Sequence, residues 1–270
     1  MSKTVTQAVE ELVRATVNLS DEDMGRAWKW GEYDEEGLRF ALLMTHHELR
    51  DLGARLAAHG RPPTQAQRIL AQYHQTYRDL TGVLAAVRTE DLDRAPSEGE
   101  WPLREALDHM LGAEYGFLGV SRGALERHRA GNAGEPTEAE FKEYRRPYAK
   151  PKDAVAGPIE SIRNAFFEIH RRVLRDLGDV TDAELEKPAW FWDGPMPIRF
   201  RLHRFEEHLR QHIIQLDKTL AVIRPPTEAH RLVRNIYNAL ADVESATEPA
   251  EDLRAPVATL ISERAAGIAI

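Results

Sequence analysis

The sequence predicts an all-α protein: an up-down four-helix bundle with flanking helices that form a partial second bundle. Three observations carry this. Apolar residues recur at three- and four-residue spacing in almost every periodic segment. Several of those segments open on a residue suited to start a helix. No segment shows the period-two alternation of a half-buried strand. Residues 5–18 put Val5, Val9, Leu12, Val13 and Val17 largely on one helical face. A second helix is expected from about Glu35 to His59. The third follows Arg61-Pro62-Pro63-Thr64, with Thr64 as its N-cap, and carries Ile69, Leu70, Tyr73, Tyr77, Leu80 and Leu84 to about Arg88. The fourth opens at Trp101-Pro102, proline being suited to a first helical turn, and runs through Leu103, Leu107, Met110, Leu111 and Phe117 to about His128.

Residues 131–157 are rich in Gly, Pro and charge and predict a long excursion with at most one short helix. A loop of that length inside a compact domain is usually functional or mobile. Helical spacing returns from Ile159 to Leu177, and Thr181 with Glu184 fits a capping box for a short helix. Trp190-Phe191-Trp192, followed by Gly194-Pro195 and Pro197, reads as an aromatic turn. A strong helix is expected from about Ile198 to Val222, another over about Thr227–Val243, and a weaker one near the C-terminus.

Four short segments occur twice in the same order. Ala27-Trp28-Lys29-Trp30-Gly31 matches Ala189-Trp190-Phe191-Trp192-Asp193-Gly194, and Arg39-Phe40 matches Arg199-Phe200. Arg61-Pro62-Pro63-Thr64 matches Arg224-Pro225-Pro226-Thr227, and Leu92-Asp93-Arg94-Ala95-Pro96 matches the shortened Leu253-Arg254-Ala255-Pro256. The offset stays between 160 (Arg39 to Arg199) and 163 (Arg61 to Arg224), which predicts an internal duplication. Residues 61–223 then form one complete bundle. Residues 1–60 and 224–270 form a split copy expected to pack on it.

The chain has 270 residues, no cysteine, eleven histidines and a net charge of −8. Without cysteine there is no disulfide, thiolate zinc site or cysteine nucleophile, so any transition-metal site must rest on histidine and carboxylate. The acidic balance argues against general nucleic-acid binding. The N-terminus lacks the apolar run of a signal peptide, and no stretch approaches the length of a membrane span, so the expected address is the cytoplasm.

His208 and His212 stand four apart on a strongly helical segment, so both imidazoles leave one face. That is the spacing with which a helix offers two nitrogens to one metal. His109 sits among core-type residues on the second helix of the complete unit, and bundle metal sites are built from facing helices. The three together are the candidate ligands, with one position open to water or substrate; such ligands suit zinc, nickel, copper and iron alike. His46 and His47 lie in the flanking copy. With Phe40 set on Phe200, Glu48 and Leu52 stand where the full unit has His208 and His212; shifted by one, His47 meets His208 but Asp51 faces His212. Neither register gives a histidine pair, so that copy is expected to hold no metal. His59, His74, His128, His170, His203 and His230 are expected to be exposed or capping. Glu114, Glu206 and Glu207 are candidates to orient an imidazole, with a solvated helix face as the plainer reading, and Asp108 is expected to be exposed.

The pattern of residues 61–223 resembles the DinB-like (DinB/YfiT) superfamily of metal-binding four-helix bundles. The residues that carry it are Trp101-Pro102-Leu103-Arg104-Glu105-Ala106-Leu107-Asp108-His109 with Glu114, then Glu207-His208 with His212 and Gln215. The resemblance implies one divalent metal, zinc or nickel, on His109, His208 and His212. It further implies a thiol-dependent S-transferase in which the metal holds a low-molecular-weight thiol and directs it at a small electrophile. Arg199, Arg201 and Arg204 form a basic edge that could hold a thiol's carboxylate, an ion-paired surface being the plainer reading. The Trp190/Phe191/Trp192 turn is expected to plug the fold rather than rim a pocket, given its twin at Trp28/Trp30. The expected partner is a small molecule, with no nucleic acid or membrane, and the chain is expected to be a monomer or homodimer. The alternative function is a noncatalytic metal-binding module for stress response or association.

Overall fold

The computed structural model describes residues 3–28, 37–246 and 249–268. The fold is all-α. Its described helices are α1 (Val5–Thr16), α2 (Leu38–His59), α3 (Gln65–Ala85), α4 (Leu103–Arg129), α5 (Glu138–Arg145), α6 (Ile159–Leu177), α7 (Ile198–Ile223), α8 (Glu228–Ser245) and α9 (Glu251–Ile268). The expected start of the second helix at Glu35, and Trp30 and Gly31 of the aromatic twin, lie outside the described residues. No described helix is long and apolar enough to cross a membrane. The chain divides into two compact units: one of residues 1–62, 78–86 and 224–270, the other of residues 63–77 and 87–223.

In the second unit the helices are set by caps and apolar faces. Thr64 caps α3 by accepting from the Gln67 backbone N–H at 3.2 Å. Pro102 precedes α4 and Pro158 precedes α6, each in extended backbone. Helix α6 turns Ile159, Ile162, Phe166, Ile169, Val173 and Leu177 inward. Burying each such side chain is worth about 1.5–3 kcal/mol, so packing rather than propensity holds the helix. Helix α4 packs against α6 and α7, and Tyr73 of α3 reaches Phe205 of α7, their ring centroids 5.3 Å apart.

The 131–157 excursion contains one short helix, α5. Thr137 and Glu140 close a reciprocal capping box at its start. No residue of α5 is buried. It docks because α4 offers glycine below it: a Cβ at Gly123 would overlap the Tyr144 ring, and one at Gly119 would press on Arg145 and Tyr148.

Two local expectations change. The aromatic turn is a two-stranded antiparallel hairpin, β1 (Pro188–Phe191) and β2 (Gly194–Pro197), with Phe191 opposite Gly194. Four-residue strands are too short to declare a period. Arg201, only 4% exposed, holds the hairpin by donating to Asp193, to the Ala189 carbonyl and to the Gly194 carbonyl. At its tip Trp192 is 85% exposed, so that ring plugs nothing. Thr181 and Glu184 do meet, the Thr181 backbone N–H donating to the Glu184 carboxylate at 2.9 Å, but they close a turn and no helix follows.

In the first unit, α1 packs against α8 and α9, and α2 against α8 and α9. Leu12, Leu42, Leu49, Leu56, Ile236 and Leu240 are fully buried at its centre. Inside that core lies a charged cluster. The fully buried Arg264 of α9 donates two hydrogen bonds of 2.7 Å to the Glu48 carboxylate of α2 and one of 2.6 Å to Thr45 Oγ1. A buried guanidinium keeps its charge, and its partners make that tolerable.

Candidate metal centre

The site is built from two facing helices. His109 stands on α4, and His208 and His212 stand one turn apart on α7. One ligand atom from each lies within 4.8 Å of the other two. His109 Nε2 and His208 Nε2 are 3.1 Å apart. Two neutral ring nitrogens at that distance repel unless a proton or a cation lies between them. Metal–nitrogen bonds of roughly 2.0–2.1 Å in a tetrahedral set put the nitrogens about 3.3 Å apart, so this spacing suits one ion. His208 and His212 are buried, and His109 is exposed, so the triad meets solvent on the α4 side.

Its electrostatics favour a neutral ring at His208 and His109. Burial, then the neighbouring His212 and His109 rings, bring His208 down to about 3. His109 is lowered by burial first and then by His212, with the Asp108 carboxylate opposing. His212 Nδ1 donates to Gln215 Oε1 at 2.8 Å, which makes Nε2 the lone-pair nitrogen of the neutral ring. His208 Nδ1 is buried and has no hydrogen-bond partner among the described residues. Trp101 packs beside the His109 ring at 5.2 Å, and Phe117 meets the His208 ring edge-on at 5.5 Å.

The other candidates fall elsewhere. Glu207 is exposed on α7 and accepts from Arg204 at 3.2 Å; Glu206 accepts from Arg210. Asp108 pairs with Lys150. Arg199 pairs with Glu186, so the predicted basic edge is spent on internal ion pairs, and its central member Arg201 is buried rather than superficial. Glu114 is not on a solvated face. It is 1% exposed, accepts a hydrogen bond from Tyr73, and burial raises its carboxyl to about 8. No hydrogen bond joins Glu114 to the triad among the described residues; its Oε1 has no partner.

His74 and His170 are also corrected: both are buried, at 7% and 5% exposure, not exposed or capping. His74 Nδ1 and His170 Nε2 lie 3.0 Å apart, and Tyr77 stacks on His170 at 3.7 Å. Hydropathy misplaced these two because a histidine on an inward face looks like one on an outward face until its partner is known. His128 fits neither class, donating from a half-buried position to the Pro188 carbonyl at 2.6 Å.

Facing helices with three convergent imidazoles define a helical bundle carrying a histidine-only candidate metal centre. The chain belongs to the DinB superfamily: a model of that family matches residues 72–216, more than half of the sequence and all three histidines. No curated protein and no solved structure matches the chain.

Proposed function

We propose that His109, His208 and His212 hold one divalent metal ion, zinc or nickel, and that the chain is an enzyme joining a low-molecular-weight thiol to a small electrophile. The observation behind this is the convergence of three ring nitrogens with one edge open to solvent. Bound there, a divalent cation keeps its charge and stabilises a thiolate. The protein's own groups do the rest. Gln215 fixes the His212 tautomer, burial keeps His208 unprotonated, and Trp101 and Phe117 cover two sides of the site. With no cysteine in the chain, the nucleophilic sulfur comes from the cosubstrate. With monochlorobimane as acceptor, the sulfur lone pair forms the new C–S bond, chloride leaves with the C–Cl electron pair, and the thiol proton passes to solvent. Turnover with at least one thiol, absent from His208→Ala, is expected. Stoichiometric metal with no turnover for any thiol would instead favour the noncatalytic metal-binding module.

We also infer that the first unit is a permuted copy of the same bundle, with α8, α9, α1 and α2 standing for α3, α4, α6 and α7. The collinear sequence matches support this, as does the pairing of α2 with α9, the counterpart of α7 with α4. Where α4 and α7 bring histidines together, α9 and α2 bring Arg264 to Glu48. The first unit thus carries an ion pair between the counterpart helices where the second carries histidines, and one metal per chain is expected.

A further inference from the structure

Against the α4 face that carries His109 lies a cavity of about 300 Å³ walled by the 131–157 excursion. Gly112 and Gly116 form its floor, and Tyr115, Tyr148, Arg145 and Lys150 line it. Gly112 and Gly116 follow His109 by three and seven residues, so floor and ligand share one stripe of the helix. The wall is tied to that stripe, because Lys150 pairs with Asp108, the residue before His109.

The cations here are not equivalent. Lys142 pairs with Glu138, Arg146 with Glu143 and Lys150 with Asp108. Arg145 is different. Its guanidinium lies over the Phe141 ring at 5.0 Å and near the Phe191 ring at 5.7 Å. No carboxylate or carbonyl accepts from it among the described residues. It is half-buried and sits above Gly116, where a Cβ would come 3.8 Å from its Nη2. Rings hold the planar group in place while its N–H fork stays available, the arrangement suited to bidentate capture of a carboxylate.

The floor glycines point the same way. Gly119 and Gly123 are required by the side chains packed on them, as described above. At Gly112 and Gly116 an added Cβ would meet only ordinary contacts, and neither has positive φ. Packing does not demand glycine there, and its effect is to leave room over the floor.

We propose that this cavity binds the carboxylate of a reactant used at the metal centre, with Arg145 as the residue that holds it. The inference rests on the proposed function for the identity of the reaction, but not for the binding itself. The ligand class is a small carboxylic acid. The carboxylate belongs to the thiol or to its acceptor.

Succinate is the probe for binding, titrated calorimetrically into the purified full chain. It is expected to bind the wild type and to bind Arg145→Gln at least tenfold more weakly, with Arg145→Lys intermediate because a point charge replaces a fork. Gly116→Leu, which fills the floor without adding or removing a charge, is expected to abolish binding while leaving the thermal unfolding transition in place. Binding is expected to persist in His208→Ala, since a guanidinium rather than a metal holds the anion. Equal affinity in wild type and Arg145→Gln, or absence of succinate binding, overturns the proposal. Succinate binding that obeys these expectations in a protein without thiol turnover keeps the anion site and removes the thiol chemistry. With turnover, KM for glutathione against 2-mercaptoethanol, and for charged against neutral acceptors, assigns the carboxylate. A rise confined to the charged member of one pair supports the site, and equal losses for charged and neutral reactants overturn it.

Discussion

At the residue scale, the triad's competence depends on which ring nitrogen carries a proton. Gln215 settles this for His212 by accepting from Nδ1. Gln215→Leu removes the acceptor at similar volume and is expected to weaken metal binding about 10–100-fold, read by competition with a chromogenic chelator; an unchanged affinity would mean that the bond is incidental. Glu114 gives a second test. Its carboxyl is raised in the folded state to about 8 by burial, the hydrogen bond from Tyr73 opposing this. The stability it contributes is fully present below the ordinary carboxylate range and is lost as pH rises toward 8. The melting temperature of Glu114→Gln relative to wild type is therefore expected to rise between pH 5 and pH 8.5. A difference that does not change with pH would contradict a buried neutral carboxyl. The convergence of His208 and His212 was legible in sequence because i, i+4 spacing and apolar neighbours are local facts. The burial of Glu114 and the meeting of His74 with His170 were not, since each needs a partner 41 or 96 residues away.

At the element scale, helices with a strong apolar stripe stood where the spacing put them. Ile159–Leu177 is bounded as the sequence implied, and α3, α4 and α7 differ by a few residues at their ends. The weakly marked element was α9. It spans Glu251–Ile268 with Pro256 inside, and its alanines and buried Arg264 blur any stripe. Helix α5 was legible only as a short helix in an excursion, because its docking is written in α4's glycines rather than in its own residues. Gly123→Ala is expected to displace Tyr144 and loosen residues 131–157, destabilising by about 1–3 kcal/mol. Limited proteolysis should show faster cleavage of that segment, with Gly112→Ala as an unaffected control. Equal cleavage of the two variants would argue against docking through Gly123.

At the scale of the whole molecule, the two units answer the same problem differently. One brings three histidines together between α4 and α7, and the other sets the Arg264 guanidinium against the Glu48 carboxylate between α9 and α2. Arg264→Met leaves the half-buried Glu48 without its partner and is expected to cost about 3 kcal/mol in urea unfolding, much of it recovered in Arg264→Met/Glu48→Leu. Four short collinear matches are what the sequence offers for the proposed duplication. The Arg264–Glu48 pair was not legible, since one register set Glu48 opposite His208 but gave no sign that Arg264 would face it. The central claim is one ion on three histidines. Elemental analysis of the purified chain and of His208→Ala measures it directly. One equivalent of divalent metal in the wild type and less than a tenth in the variant is the expected result. Equal metal content in the two proteins, or none in either after purification with added zinc or nickel, would contradict it.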